Sequence, residues 1–145
     1  MQHHLAILYP TYIQMIAEGV KTIECRLSRY RIPPFGDVSA GDIVWLKESC
    51  GPVRLVAEVA KVRSRVVKSV ADLEHLRKTF NDRVRAEPDF WRAKRDVAYC
   101  TLIWLGDVQA VEPFRVNKTD RRAWVVLDGA LEPGQVFHSP HRDVG

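Results

Sequence analysis

The chain has 145 residues, of which 46% are hydrophobic and 28% charged, the composition of an ordinary globular domain large enough to bury a core. No apolar run reaches the roughly 18 residues that a membrane-spanning helix needs, and the start Met1-Gln2-His3-His4-Leu5 lacks the basic and then long apolar pattern of a secretory signal, so no membrane partner is expected. A net charge of +4 with a pI near 9.1 is mildly basic and compatible with a polyanionic partner.

Leu5 to Tyr9 is a short apolar run that reads as a first strand. It leads to a short helix over 10 to 18, in which Thr11 is the expected cap, Gln14 completes a capping box, and Ile13, Ile16 and Ala17 recur at helical spacing. Gly19 ends that helix, since glycine takes the left-handed conformation of a helix terminus at little steric cost. Lys21 then emerges at the turn. Residues 22 to 27 alternate as a strand, with Ile23 and Cys25 facing the core and Thr22, Glu24 and Arg26 on the other face, about 7 Å apart at a rise of roughly 3.3 Å per residue. Two readings fit Lys21, Glu24 and Arg26: a solvated ion-pair ladder on an edge strand, or a binding cluster beside the helix end.

Residues 28 to 37 form a loop, because Pro33 and Pro34 forbid a regular helix or central strand. Arg29, Tyr30 and Arg31 suit phosphate contact and base stacking, or Tyr30 and Phe35 simply cover a barrel end. Ala40-Gly41-Asp42 is a tight turn into a buried strand over 43 to 47, and a second turn over 48 to 52 leads to a strand over 53 to 62. Lys61, Arg63 and Arg65 fall on one face of an extended segment. Three like charges in a row repel, so they meet either open solvent or an anion.

Ser69 caps a second helix whose buried stripe is Leu73, Leu76 and Phe80, and Pro88 breaks it. A helical turn or two over 89 to 95 precedes the strongest strand signal, 97 to 105, and 121 to 127 reads as a final strand. Between 54 and 95 there are twelve Lys and Arg against six Asp and Glu, so the basic excess lies in this middle part. Cys25, Cys50 and Cys100 are odd in number and widely spaced, which fits a reduced, cytoplasmic protein, and no paired spacing suggests structural zinc. His138 and His141 have the spacing of a metal pair, but Pro140 opposes a helix and no acidic or cysteine cluster completes a site. No metal and no cofactor is expected.

Gly19, Lys21, Glu24 and Arg26 match the pattern G-x-K-x-x-E-x-R of ASCH domains (activating signal cointegrator homology), a branch of the PUA-like barrel superfamily. Val38-Ser39-Ala40-Gly41-Asp42-Ile43-Val44 resembles the turn into that family's next strand, and 53 to 62 and 98 to 105 resemble its later strands. The resemblance implies an α+β fold, a small PUA-like mixed β-barrel with two or three flanking helices, over 1–114, with 115–145 as a C-terminal extension packed on the same domain. It also implies a cleft near the motif that engages RNA or a nucleoside, with Lys21, Glu24, Arg26, Arg29 and Tyr30 as ligand-binding residues.

Some small ASCH proteins hydrolyse the acetyl amide of N4-acetylcytidine with the motif lysine as base, a threonine and a downstream carboxylate. Lys21 matches that lysine, Glu24 stands where those enzymes place the threonine, and Glu87 is the candidate carboxylate. A lysine acts as a base only when its ammonium is destabilised. Glu24 does the reverse. Lys21 and Arg26 can instead hold a phosphate or base carbonyl while Glu24 accepts from an exocyclic amine. Binding of RNA or a modified nucleoside is therefore the first expectation and hydrolysis the second. A protein partner, in a coactivator-like interaction module marked by Tyr30 and Phe35, is the third.

Overall fold

The computed structural model describes residues 1–94 and 96–137. Strand β1 (His3–Leu8) lies between two partners, parallel to β3 (Ile43–Glu48) and antiparallel to β7 (Trp124–Leu127). Burial on both faces is why it reads as a nearly continuous apolar run. Strand β3 pairs antiparallel with β4 (Val53–Val66), β4 with β5 (Tyr99–Phe114), and β5 with β2 (Ile23–Ser28), giving one curled sheet in the order β2-β5-β4-β3-β1-β7. Three helices, α1 (Pro10–Ala17), α2 (Val70–Val84) and α3 (Pro88–Ala93), complete an α+β half-barrel. A two-residue parallel pair, β6 (Asn117–Lys118) and β8 (Val136–Phe137), stands apart from that sheet.

The two faces of the sheet carry separate cores. Ile13 and Ile16 of α1 pack with Leu46, Leu55, Val59 and Ile103, while Leu73, Leu76, Phe80 and Val84 of α2 cover Ile23, Cys25, Leu27, Cys100 and Leu102. The alternation along β2 thus sends Ile23 and Cys25 under α2, as the sequence pattern predicts. Leu5, Val125, Leu127, Leu131 and Phe137 form a third cluster at the β7 side.

Helix α1 begins without the expected capping box. Pro10 is its first residue and Tyr9 its extended N-cap, with no side-chain cap bond, so Thr11 already lies inside the helix. Proline needs no partner for a missing N–H and its fixed φ starts the helix unaided. The other end follows the sequence reading: Gly19 has φ +76, its N–H bonds the Ile16 carbonyl (3.1 Å), and the Val20 N–H bonds the Met15 carbonyl (2.9 Å), a Schellman termination. Ser69 caps α2 by accepting from the Asp72 N–H. That helix stops at Val84, before Pro88, because Arg85 turns into the left-handed region at φ +61. Strands β4 and β5 extend well past their apolar stretches, and the Lys61, Arg63 and Arg65 stripe is part of β4. No helix among the described residues is long and apolar enough to cross a membrane.

One polar network is sealed where β1, β3 and β7 meet. The Trp124 indole N–H donates to His4 Nδ1 (3.1 Å), which leaves the His4 proton on Nε2, 2.9 Å from Asp42 Oδ2. Asp42 also accepts from the backbone N–H groups of Gln2 and Ser39, each at 3.0 Å. Burial pushes the Asp42 carboxyl up, but these donors outweigh it and hold the group below its ordinary value. Asp42→Ala strands those donors at about 1–3 kcal/mol for each buried group left unsatisfied. A stability loss on the order of 3 kcal/mol is expected in urea denaturation, and a loss below about 1 kcal/mol would show that water replaces the carboxylate.

Candidate ligand-binding site

The turn at Gly19 drives Lys21 inward, where it is 3% exposed. Its ammonium donates to the carbonyls of Val84 (2.6 Å) and Ile23 (3.0 Å) and lies 3.2 Å from Glu24 Oε1. Val84 is the last residue of α2, so the charge sits on the negative end of that helix. The Thr22 N–H on the Arg83 carbonyl (3.0 Å) fastens the same junction.

Glu24, 6% exposed, joins two cations. Oε1 also accepts from the Cys25 N–H (3.1 Å), and Oε2 accepts from Arg26 Nη2 (2.9 Å). Arg26 in turn donates to the carbonyls of Ile7 (3.0 Å) and Ala123 (3.2 Å), with its guanidinium 5.4 Å from the centre of the Trp124 ring. Strands β2 and β7 are the two edges of the sheet, so Arg26 closes the curl with side-chain hydrogen bonds where no backbone ladder runs. Burial raises the Glu24 carboxyl, yet the charges and hydrogen bonds of Lys21 and Arg26 prevail and keep it below the ordinary carboxylate value. The solvated ladder is thereby corrected: these three groups form a largely buried, mutually oriented set, because the C-terminal end of α2 meets Lys21 and the β1–β7 side of the sheet meets Arg26.

Beside them lies a recess of about 40 Å³ whose walls include Tyr12, Val84 and Phe90 and whose polar lining is Lys21 and Glu24. The Lys21 ammonium is 5.4 Å from the Tyr12 ring centre. That volume takes one or two waters or one exocyclic group, not a whole base. Counting lone pairs defines what the lining offers. The three protons of the ammonium face three acceptors, whereas an ionised carboxylate has about four acceptor sites. Three of those are engaged. One acceptor site of Glu24 is left without a partner among the described residues.

The other sequence candidates lie apart from the recess. Arg29 is exposed, 3.7 Å from Asp96, with its guanidinium 5.8 Å from the centre of the Tyr30 ring, and Tyr30 is 66% exposed. Phe35 packs on Tyr99, and the Arg31 guanidinium covers both rings. Glu87 is an exposed N-cap of α3 whose side chain makes no capping bond; it follows Ala86 of the recess wall without lining the recess itself. Tyr12 and Phe90 were not among the sequence candidates. Tyr12 shares a helix face with Ile16, four residues on, which is a readable signal. Phe90 has none, because its position depends on the turn between α2 and α3. A larger hollow of about 320 Å³ lies between α2 and α3. There Arg77 pairs with Glu74, and Arg92 lies 3.6 Å from Asp89, so its charges neutralise one another. Among the described residues no group of three or more His, Cys, Asp or Glu side chains could hold a metal; His138 and His141 lie outside the described residues.

The depressed Glu24 and Asp42 carboxyls make the acid response of the fold predictable. A group whose value is lower folded than unfolded stabilises the fold above its unfolded value, about 4 for a carboxyl, and loses that contribution as the pH falls through the folded value. The urea midpoint is expected to stay level from pH 7 to 5 and to fall below about pH 4. Glu24→Gln should flatten part of that fall while costing about 3–5 kcal/mol at neutral pH, since two buried cations lose their counter-charge. An unchanged acid slope in that variant would mean that Glu24 is not one of the titrating groups.

No protein-family model and no curated protein sequence matches the chain. Solved structures do. A tyrosine-to-phenylalanine variant of the ASCH protein of Zymomonas mobilis superposes with a TM-score of 0.69 over 88% of this chain and 91% of that one, at 17% identity. A serine-to-alanine variant of the same protein gives 0.67 over 86% and 87%, also at 17% identity, and a further structure of the Zymomonas mobilis protein gives 0.61 over 77% and 71% at 16%. The likeness is one of architecture, carried by the curled six-stranded sheet and its three helices, and it shows that the chain has the fold of an ASCH domain, a small PUA-like α+β barrel.

Proposed function

We propose that the chain binds RNA or a modified nucleoside by taking the edge of one base into the recess beside Lys21 and Glu24. The observation that carries this reading is the spare acceptor on a buried, ionised Glu24, set in a recess flanked by the rings of Tyr12 and Phe90. A carboxylate that accepts from an exocyclic amine is the contact by which a side chain recognises cytosine, and an aromatic ring at the wall can stack on the part of the base that stays outside the recess. The recess excludes the sugar and phosphate by size, so these lie outside it.

Hydrolysis of an acylated base finds less support. A general base needs a free lone pair on nitrogen, and each position around Lys21 Nζ is directed to an acceptor: the Val84 carbonyl, the Ile23 carbonyl and the Glu24 carboxylate. Glu87 adds no acid to that set. The lysine supplies charge and rigidity to the carboxylate that does the recognising.

Titration of nucleosides followed by chemical-shift changes checks this directly. Cytidine and adenosine, which carry an exocyclic amine, are expected to bind more tightly than uridine. Phe90→Ala should weaken both by the roughly 1–3 kcal/mol that stacking on one base contributes, with the fold intact because Phe90 is only partly buried. Incubation with N4-acetylcytidine should release cytidine no faster than buffer alone. Equal affinity for uridine, or no saturable shift with any nucleoside, would sink the reading.

A further inference from the structure

Residues 61–66 of β4 lie beyond the stretch that β3 pairs with, whose register ends at Glu58, and they are bonded only to β5. On this open arm Lys61, Arg63 and Arg65 alternate along one face, all exposed, and none is within ion-pair distance of an acid among the described residues. Residues two apart on a strand are separated by about 7 Å, a spacing comparable to that of successive phosphates along an extended single strand. The stripe also does not stand alone. Lys61 Nζ is 4.8 Å from the centre of the Trp104 ring, Trp104 packs edge-on against Phe80 at 5.8 Å, and the Arg83 guanidinium is 5.7 Å from the Phe80 ring. Arg83 precedes Val84, whose carbonyl holds Lys21. A basic line therefore runs from Arg83, which lies 3.8 Å from Asp82 and next in sequence to the recess-lining Val84, past Trp104, onto the arm. In sheet register Lys61 sits opposite Trp104, and Trp104 opposite Ile23, so Lys61 begins two strand spacings, about 10 Å, from the motif strand.

We propose that Arg83, Lys61, Arg63 and Arg65 form a track for the sugar-phosphate backbone of a single-stranded nucleic acid. The proposal rests on the base-binding reading of the recess for the chemical class of its occupant, and it assigns the phosphates a place that the recess is too small to offer. A bare row of cations on an unpaired strand edge also has a structural use, since such charges block edge-to-edge association of sheets, and the experiment separates the two.

The probe is a fluorescein-labelled single-stranded RNA dodecamer, titrated by anisotropy over a series of salt concentrations against the wild type and a triple Lys61→Gln, Arg63→Gln, Arg65→Gln variant. The track predicts at least a tenfold loss of affinity in the variant. It also predicts a log–log salt slope shallower by about 2, the contribution of three phosphates on a single strand. Cytidine binding should be unchanged, because none of the three residues lines the recess. Unaltered affinity and slope would overturn the proposal, and so would a variant that keeps its RNA affinity but self-associates in sedimentation, which is the edge-protection outcome. A wild type that binds the dodecamer through these residues but ignores free nucleosides would instead remove the recess reading and leave the track in place. Thermal melting of the variant guards against a folding artefact, and since all three side chains are exposed its midpoint should move by no more than a few degrees.

Discussion

The bond between Glu24 and Arg26 steadies a side chain that links the two ends of the curled sheet. Strand β2 ends the hydrogen-bonded order on one side and β7 on the other, and an unpaired edge is a liability unless something covers it. The guanidinium does so by donating to the carbonyls of Ile7, in the penultimate strand β1, and of Ala123, just before the edge strand β7. It can hold that reach only because Glu24 fixes its near side. The carboxylate is fixed in turn by an ammonium that is itself tied to the end of α2. Desolvating three charges is costly, and the arrangement is tolerable only when the groups pair with one another and their remaining hydrogen-bonding capacity finds partners. Here the ammonium and guanidinium find those partners in backbone carbonyls, those of Ile23 and Val84 for Lys21 and those of Ile7 and Ala123 for Arg26.

That closure limits the chemistry. Lys21 and Arg26 look like free cations on paper, but both are committed to carbonyls and to Glu24. What remains is subtler: one acceptor, held ionised, in a hollow the size of a single functional group. A site of this type discriminates by what can donate to it more than it binds by charge, because a buried acceptor left without a partner costs as much as a good hydrogen bond contributes. On the proposed reading, affinity comes from elsewhere on the surface, where Lys61, Arg63 and Arg65 of β4 are exposed.

The local part of this was readable in the chain. Gly19 fixed the helix end, the alternation after Thr22 placed Ile23 and Cys25 in the core, and Ser69 marked the start of α2. The family pattern led from there to the right architecture. What the residues could not reveal was burial of the polar face of β2. Lys21 finds Val84 across 63 positions and Arg26 finds Ala123 across 97, and no periodicity encodes such distances. Three charged residues on alternate sites of an edge strand look the same whether water or a neighbouring edge covers them. The capping box failed for a smaller reason, that Pro10 already satisfied the helix start on which Thr11 was placed.

The dimensions of the recess trace to a turn that has no sequence signature of its own. Asn81 accepts through Oδ1 from the Ala86 N–H (3.0 Å) and the Trp91 indole (3.0 Å), and its amide donates back to the Ala86 carbonyl (3.2 Å). Arg85 lies inside that clasp in the left-handed conformation, which is costly for a residue with a Cβ and persists only where the surroundings enforce it. The clasp swings α3 back so that Trp91 is buried on one side and Phe90 meets the recess on the other. Were the turn looser, Phe90 would no longer wall the hollow, and Glu24 would face bulk water, in which an amine gains little by leaving its own hydration. The enclosure of the carboxylate thus depends on an asparagine that does not touch it.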